Sequence, residues 1–359
     1  MKILFIVPYP IAKSPSQRFR FEQYFQTLTQ NGGQYHVQSF LDNEGWAILY
    51  QPGKGLQKFR VLVKGLFKRL IIPFHLHAYQ FVFIHREAAP FGPPVLEWII
   101  AKIFRKKIIY DFDDAIWLTD RKNESVWLRL IKWRSKVASI CKWSYKVSAG
   151  NPYLCDFARQ YSQNVVLNPT TIDTEFLHNP SLFQVTRNPG KVVIGWTGSH
   201  STLKYLAEIE PVLAALEKKY PQMEMLVIAD KPPRLSLHNL RFLPWSFEAE
   251  IKGLLEADIG IMPLPDDEWA KGKCGFKALQ YMALEIPAVA SPVGVNTSII
   301  HQVQNGFLCT STEEWTTRLE LLINNKELRT QMGKAGRKTV IDHFSVVSNR
   351  ANFLSLFLK

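Results

Sequence analysis

The chain has 359 residues, a length that predicts two domains, each large enough to bury its own core. Hydrophobic residues make up 47% and charged residues 21% of the sequence, which is typical of a folded protein and excludes a disordered chain. The 44 Lys and Arg residues against 31 Asp and Glu residues give a net charge of +13.

The positive charge is concentrated in the first half of the chain. Residues 51–150 carry 19 basic and 7 acidic side chains, whereas residues 181–359 carry 20 and 18. This asymmetry predicts an anionic partner, which is a membrane surface, a phosphorylated acceptor or nucleic acid. No recognised nucleic-acid-binding motif accompanies the charge, so we expect no nucleic acid partner.

Neither the cysteines nor the hydropathy pattern indicates export or membrane insertion. The four cysteines lack C-x-x-C spacing, which argues against a zinc ribbon or a disulfide scaffold and favours a reducing compartment. The N-terminal apolar run is too short for a signal peptide, and no uncharged apolar stretch reaches about 18 residues. We therefore expect a cytoplasmic protein without a membrane span.

Short apolar runs rich in β-branched residues alternate with longer amphipathic stretches, the pattern of βαβ units around a parallel sheet. The predicted strands are 3–7, 36–40, 81–85, 107–111, 146–149 and 165–167 in the first half, and 192–196, 225–229, 240–243, 259–263 and 288–291 in the second. A stretch with Asn, Pro and Gly over 173–191 is the predicted linker. The sequence thus predicts the α/β class with two doubly wound halves. The apolar period of 344–359 predicts a final helix that needs a surface to cover.

Basic residues follow the first predicted strand. Arg18 and Arg20 precede a helix. Their guanidinium groups match the geometry of a phosphate group on either a donor or an acceptor substrate. The alternative is an exposed basic helix start. Arg86, after the third strand, lies at the same predicted sheet edge and is a further candidate for the acceptor or for phosphate. Its neighbour His85 is equally well explained as a core residue.

An acidic run follows the fourth predicted strand. Asp111, Asp113 and Asp114 fall at the carboxyl edge of the sheet, where open α/β folds bind ligands. An acceptor-site or structural role is favoured over a divalent cation site, so we predict no metal. We assign Asp113 and Asp114 to the catalytic group.

The stretch 54–72 is a basic amphipathic helix. At about 100° per residue its apolar and basic side chains separate onto two faces. The apolar face consists of Leu56, Phe59, Leu62, Val63, Leu66, Phe67 and Leu70, and the basic face of Lys54, Lys58, Arg60, Lys64, Lys68 and Arg69. Such a helix either binds an anionic membrane interface or covers the sheet of its own domain. The aromatic and basic stretch 127–136 adds weight to the membrane interpretation.

Two loops of the second half predict a phosphate site. Gly198 and Ser199 form a small-residue loop that leads into a predicted helix at 203–216, and free N–H groups at a helix start favour an anion. Lys273 and Lys277 are four residues apart and are predicted to share one face at the start of a second helix. The alternatives are a helix cap that binds nothing and a solvated lysine pair.

The segment from Gly272 to Gly294, the Gly195–Ser199 stretch (GWTGS), the 167–173 stretch (LNPTTID) and the 332–337 stretch (MGKAGR) together resemble glycosyltransferase family 4. The likeness is specific over 190–345. It implies the GT-B fold, in which two Rossmann-like domains face a cleft and a final helix crosses back to the N-terminal domain. The implied domains are 1–175 with 344–359, and 190–343.

The resemblance also implies a donor site in the C-terminal domain. Lys204 and Lys277 are the candidate pair for the donor diphosphate, and Lys277 joins the catalytic group. The family usually has two glutamates eight residues apart, where this chain has Gly272 and Gln280, so the Gln280 amide is expected to bond the ribose. The complete donor-binding set is Gly198, Ser199, Lys204, Lys273, Cys274, Gly275, Phe276, Lys277 and Gln280.

The resemblance implies a retaining glycosyltransferase that moves a sugar from a nucleotide diphosphate, UDP or GDP, to a hydroxyl of a glycan or lipid-linked glycan. No cofactor is expected beyond the donor substrate. The protein is expected at the inner face of the membrane. The alternatives are a sugar-nucleotide epimerase or hydrolase on the same fold, and a non-catalytic basic binder of membrane or nucleic acid.

Overall fold

The computed structural model describes residues 1–49, 51–119, 124–185 and 188–358. Thr186 and Arg187 of the predicted linker and Lys359 of the predicted final helix lie outside the described residues. The chain divides into two compact units. Unit 1 comprises Met1–Thr170, Gly272–Cys274 and Asn349–Lys359, and unit 2 comprises Thr171–Lys271 and Gly275–Ser348.

Each unit is built on one parallel sheet of six strands. The strands of unit 1 are β1 (Lys2–Val7), β2 (Gln34–Ser39), β3 (Phe81–His85), β4 (Lys107–Phe112), β5 (Lys146–Ala149) and β6 (Val165–Leu167). Those of unit 2 are β7 (Val192–Gly198), β8 (Met223–Ala229), β9 (Leu240–Pro244), β10 (Ile259–Met262), β11 (Ala288–Ala290) and β12 (Gly306–Leu308). Central strands such as β3 and β8 are buried along their whole length, as strands covered on both faces must be.

Helices cover the sheets. They are α1 (Pro15–Arg20), α2 (Phe25–Gln30), α3 (Asn43–Ile48), α4 (Gly55–His75), α5 (Val95–Trp98), α6 (Val126–Lys132), α7 (Lys136–Trp143), α8 (Pro152–Arg159), α9 (Glu210–Lys219), α10 (Glu250–Leu255), α11 (Glu268–Lys271), α12 (Phe276–Ala283), α13 (Asn296–Ile299), α14 (Thr312–Asn324), α15 (Lys326–Thr339) and α16 (Arg350–Ser355). Short 3₁₀ helices lie at Glu22–Tyr24, Leu76–Ala78, Pro180–Leu182 and Leu203–Glu208, and π-helical turns at Ile99–Ile103 and Val340–Phe344.

The strand order reverses once in each sheet. The order in unit 1 is β2-β1-β3-β4-β5-β6, and in unit 2 it is β12-β11-β10-β7-β8-β9. In unit 1, β2 lies on one side of β1 and β3 lies on the other. In unit 2, β8 lies on one side of β7 and β10 lies on the other. Ligands of open α/β sheets bind outside the carboxyl ends of the strands at such reversals. The fold therefore marks one candidate ligand position in each unit.

The prediction of two doubly wound α/β sheets is confirmed, and every predicted strand coincides with an observed one. The short strand β12, which begins with glycine, was not predicted. The predicted helix at 203–216 is interrupted, since a 3₁₀ helix over Leu203–Glu208 gives way to α9, which has proline in its first turn.

The C-terminal residues pack in unit 1. Of the described residues 344–358, only Arg350–Ser355 is α-helical, and Ser345 is extended and forms an isolated bridge to Ile172 within unit 2. The Phe353 ring stacks on Tyr24 at a centroid distance of 4.2 Å, and Lys146 donates to the Ser355 carbonyl at 2.6 Å. The apolar face of this segment thus packs against unit 1, as its apolar period predicted.

Helix α4 turns its apolar face to solvent, which contradicts the alternative that this face covers the sheet. The helix packs through Gly65, Arg69 and Ile72 instead. Eight apolar side chains of α4 are more than a third exposed, namely Leu56, Phe59, Val63, Leu66, Phe67, Leu70, Ile71 and Phe74. Within the described residues no helix is long and apolar enough to cross a bilayer.

Arg69 belongs to the packed side of α4, not to a solvated basic face. Its guanidinium donates to the carbonyls of Ala88 at 2.7 Å, Val7 at 2.8 Å and Gln38 at 3.0 Å. Burial lowers the pKa of this guanidinium, although Glu97 opposes the shift. Arg69 is therefore a structural residue that ties α4 to the ends of β1 and β2.

Candidate functional site

A buried ion pair organises the carboxyl edge of the unit 1 sheet. Asp111 on β4 is fully buried, as is Arg20 on α1. The Arg20 guanidinium donates to Asp111 and to the Asn168 carbonyl, and the Ser148 hydroxyl donates to Asp111 Oδ1 at 2.6 Å. Burial alone would raise the pKa of Asp111, but Arg20 and His85 hold it well below its usual value.

His85 completes this network. Its Nδ1 lies 2.8 Å from Asp111 Oδ2, and its Nε2 lies 3.3 Å from the Ser16 hydroxyl. The imidazole is fully buried. His85 is thus a hydrogen-bonded core residue that connects β3, β4 and α1, the second of the two interpretations that the sequence left open.

These contacts correct the prediction that Arg20 grips a phosphate, because its guanidinium faces Asp111 and has no exposed surface. Arg18 is also buried, with 6% of its surface exposed, and its guanidinium lies 4.9 Å from the centroid of the Phe19 ring. The alternative of an exposed basic helix start is therefore wrong for both arginines.

A second, partly open charge cluster lies beside the first. Arg86 donates to Asp113 Oδ1 at 2.8 Å and to Asp114 Oδ2 at 2.6 Å, and Lys273 donates to Asp114 Oδ1 at 2.8 Å. Between 12% and 24% of each of these four side chains is exposed. Burial would raise the pKa of Asp114, but Lys273 and Arg86 lower it below its usual value. We call Arg86, Asp113, Asp114 and Lys273 the acidic-edge cluster.

Arg86 reaches this cluster from a left-handed backbone. Its φ is 60°, a conformation that costs a non-glycine residue about 1 kcal/mol. The Arg86 N–H donates to the Asp111 carbonyl at 2.7 Å, and the Tyr110 hydroxyl donates to the Arg86 carbonyl at 2.7 Å. Two residues of β4 thus hydrogen-bond both the N–H and the carbonyl of Arg86 and stabilise its strained backbone.

The structure separates Lys273 from Lys277. Helix α12 begins at Phe276, after a left-handed Gly275 with φ of 67°, so Lys273 lies outside the helix and the predicted shared face is wrong. Gly272–Cys274 belongs to unit 1, where the Cys274 thiol donates to the Asp113 carbonyl at 3.1 Å and Asn151 donates to the Lys273 carbonyl at 2.9 Å. Cys274 is 9% exposed, which corrects its assignment as a donor ligand.

In unit 2, a buried tyrosine places α12 against the strand reversal. The Tyr281 hydroxyl accepts from the Thr197 N–H at 3.0 Å and donates to the Ile261 carbonyl at 3.3 Å, so it joins β7 to β10. A Cβ at Gly260 would lie 2.3 Å from the Tyr281 ring, so only glycine fits there. Burial raises the pKa of Tyr281, which keeps the hydroxyl protonated.

The predicted phosphate loop lies at the end of β7. Gly198 ends the strand, and a Cβ there would lie 2.5 Å from the Trp196 ring. The ammonium of Lys277, on the first turn of α12, lies 5.3 Å from the centroid of the same ring. Lys204 is exposed on the following 3₁₀ helix, with its ammonium 5.3 Å from the Tyr205 ring. Gly198 and Lys277 therefore both lie close to the Trp196 ring at the end of β7.

Gln280 is oriented inward. It is fully buried, and its amide NH₂ lies 3.3 Å from His178 Nε2 and 3.1 Å from Glu250 Oε1. This corrects the expectation that Gln280 bonds a ribose. Sequence reasoning missed His178 and Glu250, because nothing in the local pattern of a loop residue and a helix start indicates that they meet Gln280.

The described part of the chain contains no group of three or more His, Cys, Asp or Glu side chains arranged to hold a metal. The Asp113 and Asp114 oxygens face Arg86 and Lys273. The arrangement is thus suited to hydrogen-bonding a polar ligand.

The family described as "Glycosyl transferases group 1" matches residues 234–339. The match runs from β9 to α15 of unit 2 and includes the Gly272–Gly294 segment. The C-terminal part of the chain is thus similar to the group 1 glycosyltransferases. The predicted recognition and enzyme class are confirmed.

Solved structures similar to this glycosyltransferase share the GT-B fold. Sucrose-phosphate synthase from Thermosynechococcus elongatus superposes with a TM-score of 0.68 at 13% identity, over 99% of this chain and 98% of that one. Anabaena HepE, solved in complex with UDP and glucose, superposes with a TM-score of 0.64 at 15% identity, over 99% of both chains. No curated protein matches the chain.

The buried ion pair predicts a specific stability loss. We expect Asp111→Asn to lower the free energy of unfolding by about 3–5 kcal/mol, because it leaves a buried Arg20 without its counter-charge. Asp156→Asn is the matched control, since Asp156 pairs with Arg159 on the surface of α8, and we expect a loss of less than about 1 kcal/mol. Urea denaturation at pH 7 measures both.

The same pair predicts the pH dependence of this difference. The folded-state pKa of Asp111 lies below its ordinary value of 3.8, so the carboxylate stabilises the fold above that value and loses this contribution as the pH falls through the folded pKa. The difference in free energy of unfolding between wild type and Asp111→Asn should be about 1 kcal/mol smaller at pH 3 than at pH 7. A gap that is constant between pH 7 and pH 3 contradicts the ion pair.

Proposed function

We propose that this glycosyltransferase transfers a sugar, with retention, from a UDP- or GDP-sugar to a hydroxyl of a glycan or lipid-linked glycan. The observation that carries the proposal is that Gly198 and Lys277 lie close to the same Trp196 ring at the strand reversal of unit 2. Residues 234–339 of this unit match the group 1 glycosyltransferases. HepE, of the same fold, was solved with UDP and with UDP-glucose, which supports a uridine donor here.

Unit 2 supplies the donor site in this proposal. Lys277 and Lys204 provide positive charge for the diphosphate, and the start of α12 at Phe276 favours a negatively charged group. Negative charge develops on the diphosphate as the glycosidic bond breaks, so a fixed ammonium stabilises the transition state more than the ground state. Lys277 is the residue we assign to this catalytic role.

Unit 1 supplies the acceptor side through the acidic-edge cluster. A carboxylate with a lowered pKa is a weak proton acceptor at neutral pH, so we assign Asp114 to hydrogen-bonding the acceptor and not to general base catalysis. In a retaining transfer on this fold the departing phosphate takes the acceptor proton, which requires no protein base. Arg86 and Lys273 hold both carboxylates in place.

The donor site predicts a loss of nucleotide affinity in one variant. We expect Lys277→Ala to weaken UDP binding by roughly 10- to 150-fold, since a charge-assisted hydrogen bond contributes about 1.5–3 kcal/mol. Lys218→Ala is the control, because Lys218 is an exposed lysine of α9 in the same unit. Calorimetry with UDP and GDP measures both variants. Unchanged affinity in a folded Lys277→Ala protein removes Lys277 from the donor site.

If Asp114 bonds the acceptor, its replacement should reduce turnover without changing UDP affinity. We expect Asp114→Asn to slow UDP release from UDP-glucose, in the presence of a membrane lipid extract as acceptor, by about tenfold or more. Its UDP affinity should stay within about twofold of wild type. Activity should also persist in excess EDTA. Loss of activity with EDTA and its return with Mg²⁺ would instead make the carboxylates a metal site, and equal turnover without acceptor would indicate a hydrolase.

We also place the enzyme in the cytoplasm at an anionic membrane. Helix α4 exposes its apolar face and carries no acidic residue, a combination typical of interfacial helices. Lys64 pairs with Asp42 at 2.6 Å, whereas Lys54 and Arg60 are exposed. Apolar insertion and attraction to anionic headgroups then act on the same helix.

Membrane docking through α4 is testable with vesicles. Cosedimentation should require anionic lipid and weaken as salt shortens the Debye length from about 10 Å at 0.1 M. Replacing Phe67 and Leu70 by Ser should reduce binding, because both side chains are more than 60% exposed. Phe176→Ser, at an equally exposed site in unit 2, is the control. Salt-independent binding to neutral vesicles, or binding unchanged in the double variant, contradicts this docking.

A further inference from the structure

Helix α6 is apolar and buries none of its side chains. Val126, Trp127, Leu130 and Ile131 are each more than half exposed, and Trp127 is 77% exposed. A seven-residue helix is marginal in water, and an apolar surface of this kind on a monomer marks an interaction site. The exposed apolar face of α6 is therefore a second candidate interaction surface, in addition to that of α4.

One loop contacts both α4 and α6. This loop, residues 87–93, follows β3 and Arg86. On one side the Gly92 N–H donates to the Ile131 carbonyl of α6 at 2.8 Å, and the Lys132 ammonium lies 5.3 Å from the Phe91 ring. On the other side Arg69 of α4 donates to the Ala88 carbonyl at 2.7 Å. Helices α4 and α6 thus both contact the same short loop, α4 through its packed side.

The charge of this region selects the occupant. Neither α4 nor α6 contains an acidic residue, and together they carry six Lys and Arg residues besides the buried Arg69. A second copy of the chain would bring two such basic faces together, which like-charge repulsion disfavours. An anionic bilayer satisfies both the charge and the apolar side chains.

The aromatic residues have the positions expected at a lipid interface. Trp133, at the end of α6, has a left-handed backbone with φ of 49° and is 47% exposed. Phe91, at the middle of the loop, is 38% exposed. Tryptophan is enriched where the headgroups meet the acyl chains, because its ring has an apolar body and a polar N–H.

We propose that α4 and α6 insert together into one anionic bilayer, with the 87–93 loop and Phe91 between them. The inference deepens the membrane association proposed above, which rests on α4 alone, by adding a second inserted helix. It also concerns the acceptor, since Arg86 precedes this loop and holds Asp113 and Asp114. An acceptor carried by lipid would then meet the acidic-edge cluster next to the bilayer surface.

Fluorescence quenching tests insertion of α6 directly. The full chain has 10 tryptophans, and it is mixed with vesicles of phosphatidylcholine and phosphatidylglycerol whose acyl chains carry bromine. The fluorescence that Trp127→Phe removes should be quenched by bromine, whereas the fluorescence removed by Trp269→Phe in unit 2 should not be. Phenylalanine keeps the apolar character, so binding itself stays unchanged.

A binding variant gives the second measurement. We expect the double substitution Leu130→Ser and Ile131→Ser to lower the vesicle partition coefficient about tenfold, because two apolar side chains then leave the lipid. Phe176→Ser is the control. UDP affinity should not change in either variant, which shows that unit 2 is folded and separates this test from the donor-site proposal.

Two results would overturn the inference. Unquenched Trp127 fluorescence in protein that cosediments through α4 would show that α6 stays in water, and would leave docking through α4 intact. A partition coefficient unchanged by the α6 double substitution would have the same meaning. Retained sedimentation of the α4 variant combined with retained Trp127 quenching would support insertion of α6 and contradict docking through α4.

Discussion

The Asp111 carboxylate holds the carboxyl edge of unit 1 together. Taking a charge out of water is costly, and the cost is offset here by Arg20, His85 and Ser148, which surround both oxygens. These partners come from α1, β3 and β5, while Asp111 itself is on β4. Four elements distant in sequence therefore converge on one side chain, and the backbone of the same residue holds the Arg86 N–H. The acidic-edge cluster depends on this arrangement.

A corresponding constraint acts in unit 2, where a neutral group takes the place of the ion pair. Tyr281 joins β7 to β10 across the strand reversal, and Gly260 leaves room for its ring. Helix α12 cannot shift without breaking these contacts, so Lys277 stays close to Trp196 and Gly198. The two units thus use different chemistry, an ion pair and a phenol, to position the residues at equivalent ends of their sheets.

The sequence predicted the sheets well because buried parallel strands are continuous apolar runs with Gly, Asn and Pro between them. It predicted less about individual side chains. Arg20 had the residue type and position of a phosphate ligand, but its partner Asp111 lies 91 residues away, and no local pattern reports that distance. Lys273 was assigned to a helix because a spacing of four suggests one face, whereas a left-handed Gly275 starts the helix later. The amphipathic pattern of α4 was correct, but periodicity does not specify which face meets the protein.

The four cysteines, all buried and unpaired, make the two units separately observable. Burial raises the pKa of Cys141 to about 12 and that of Cys155 to about 11 in unit 1, and that of Cys309 to about 12 in unit 2. Thiolates are the reactive form, so these groups are inert toward alkylating reagents and oxidants while the fold is closed. Each thiol becomes reactive only when its own unit opens. The pattern of modified cysteines after brief heating therefore records which half of the enzyme unfolds first, without any introduced label.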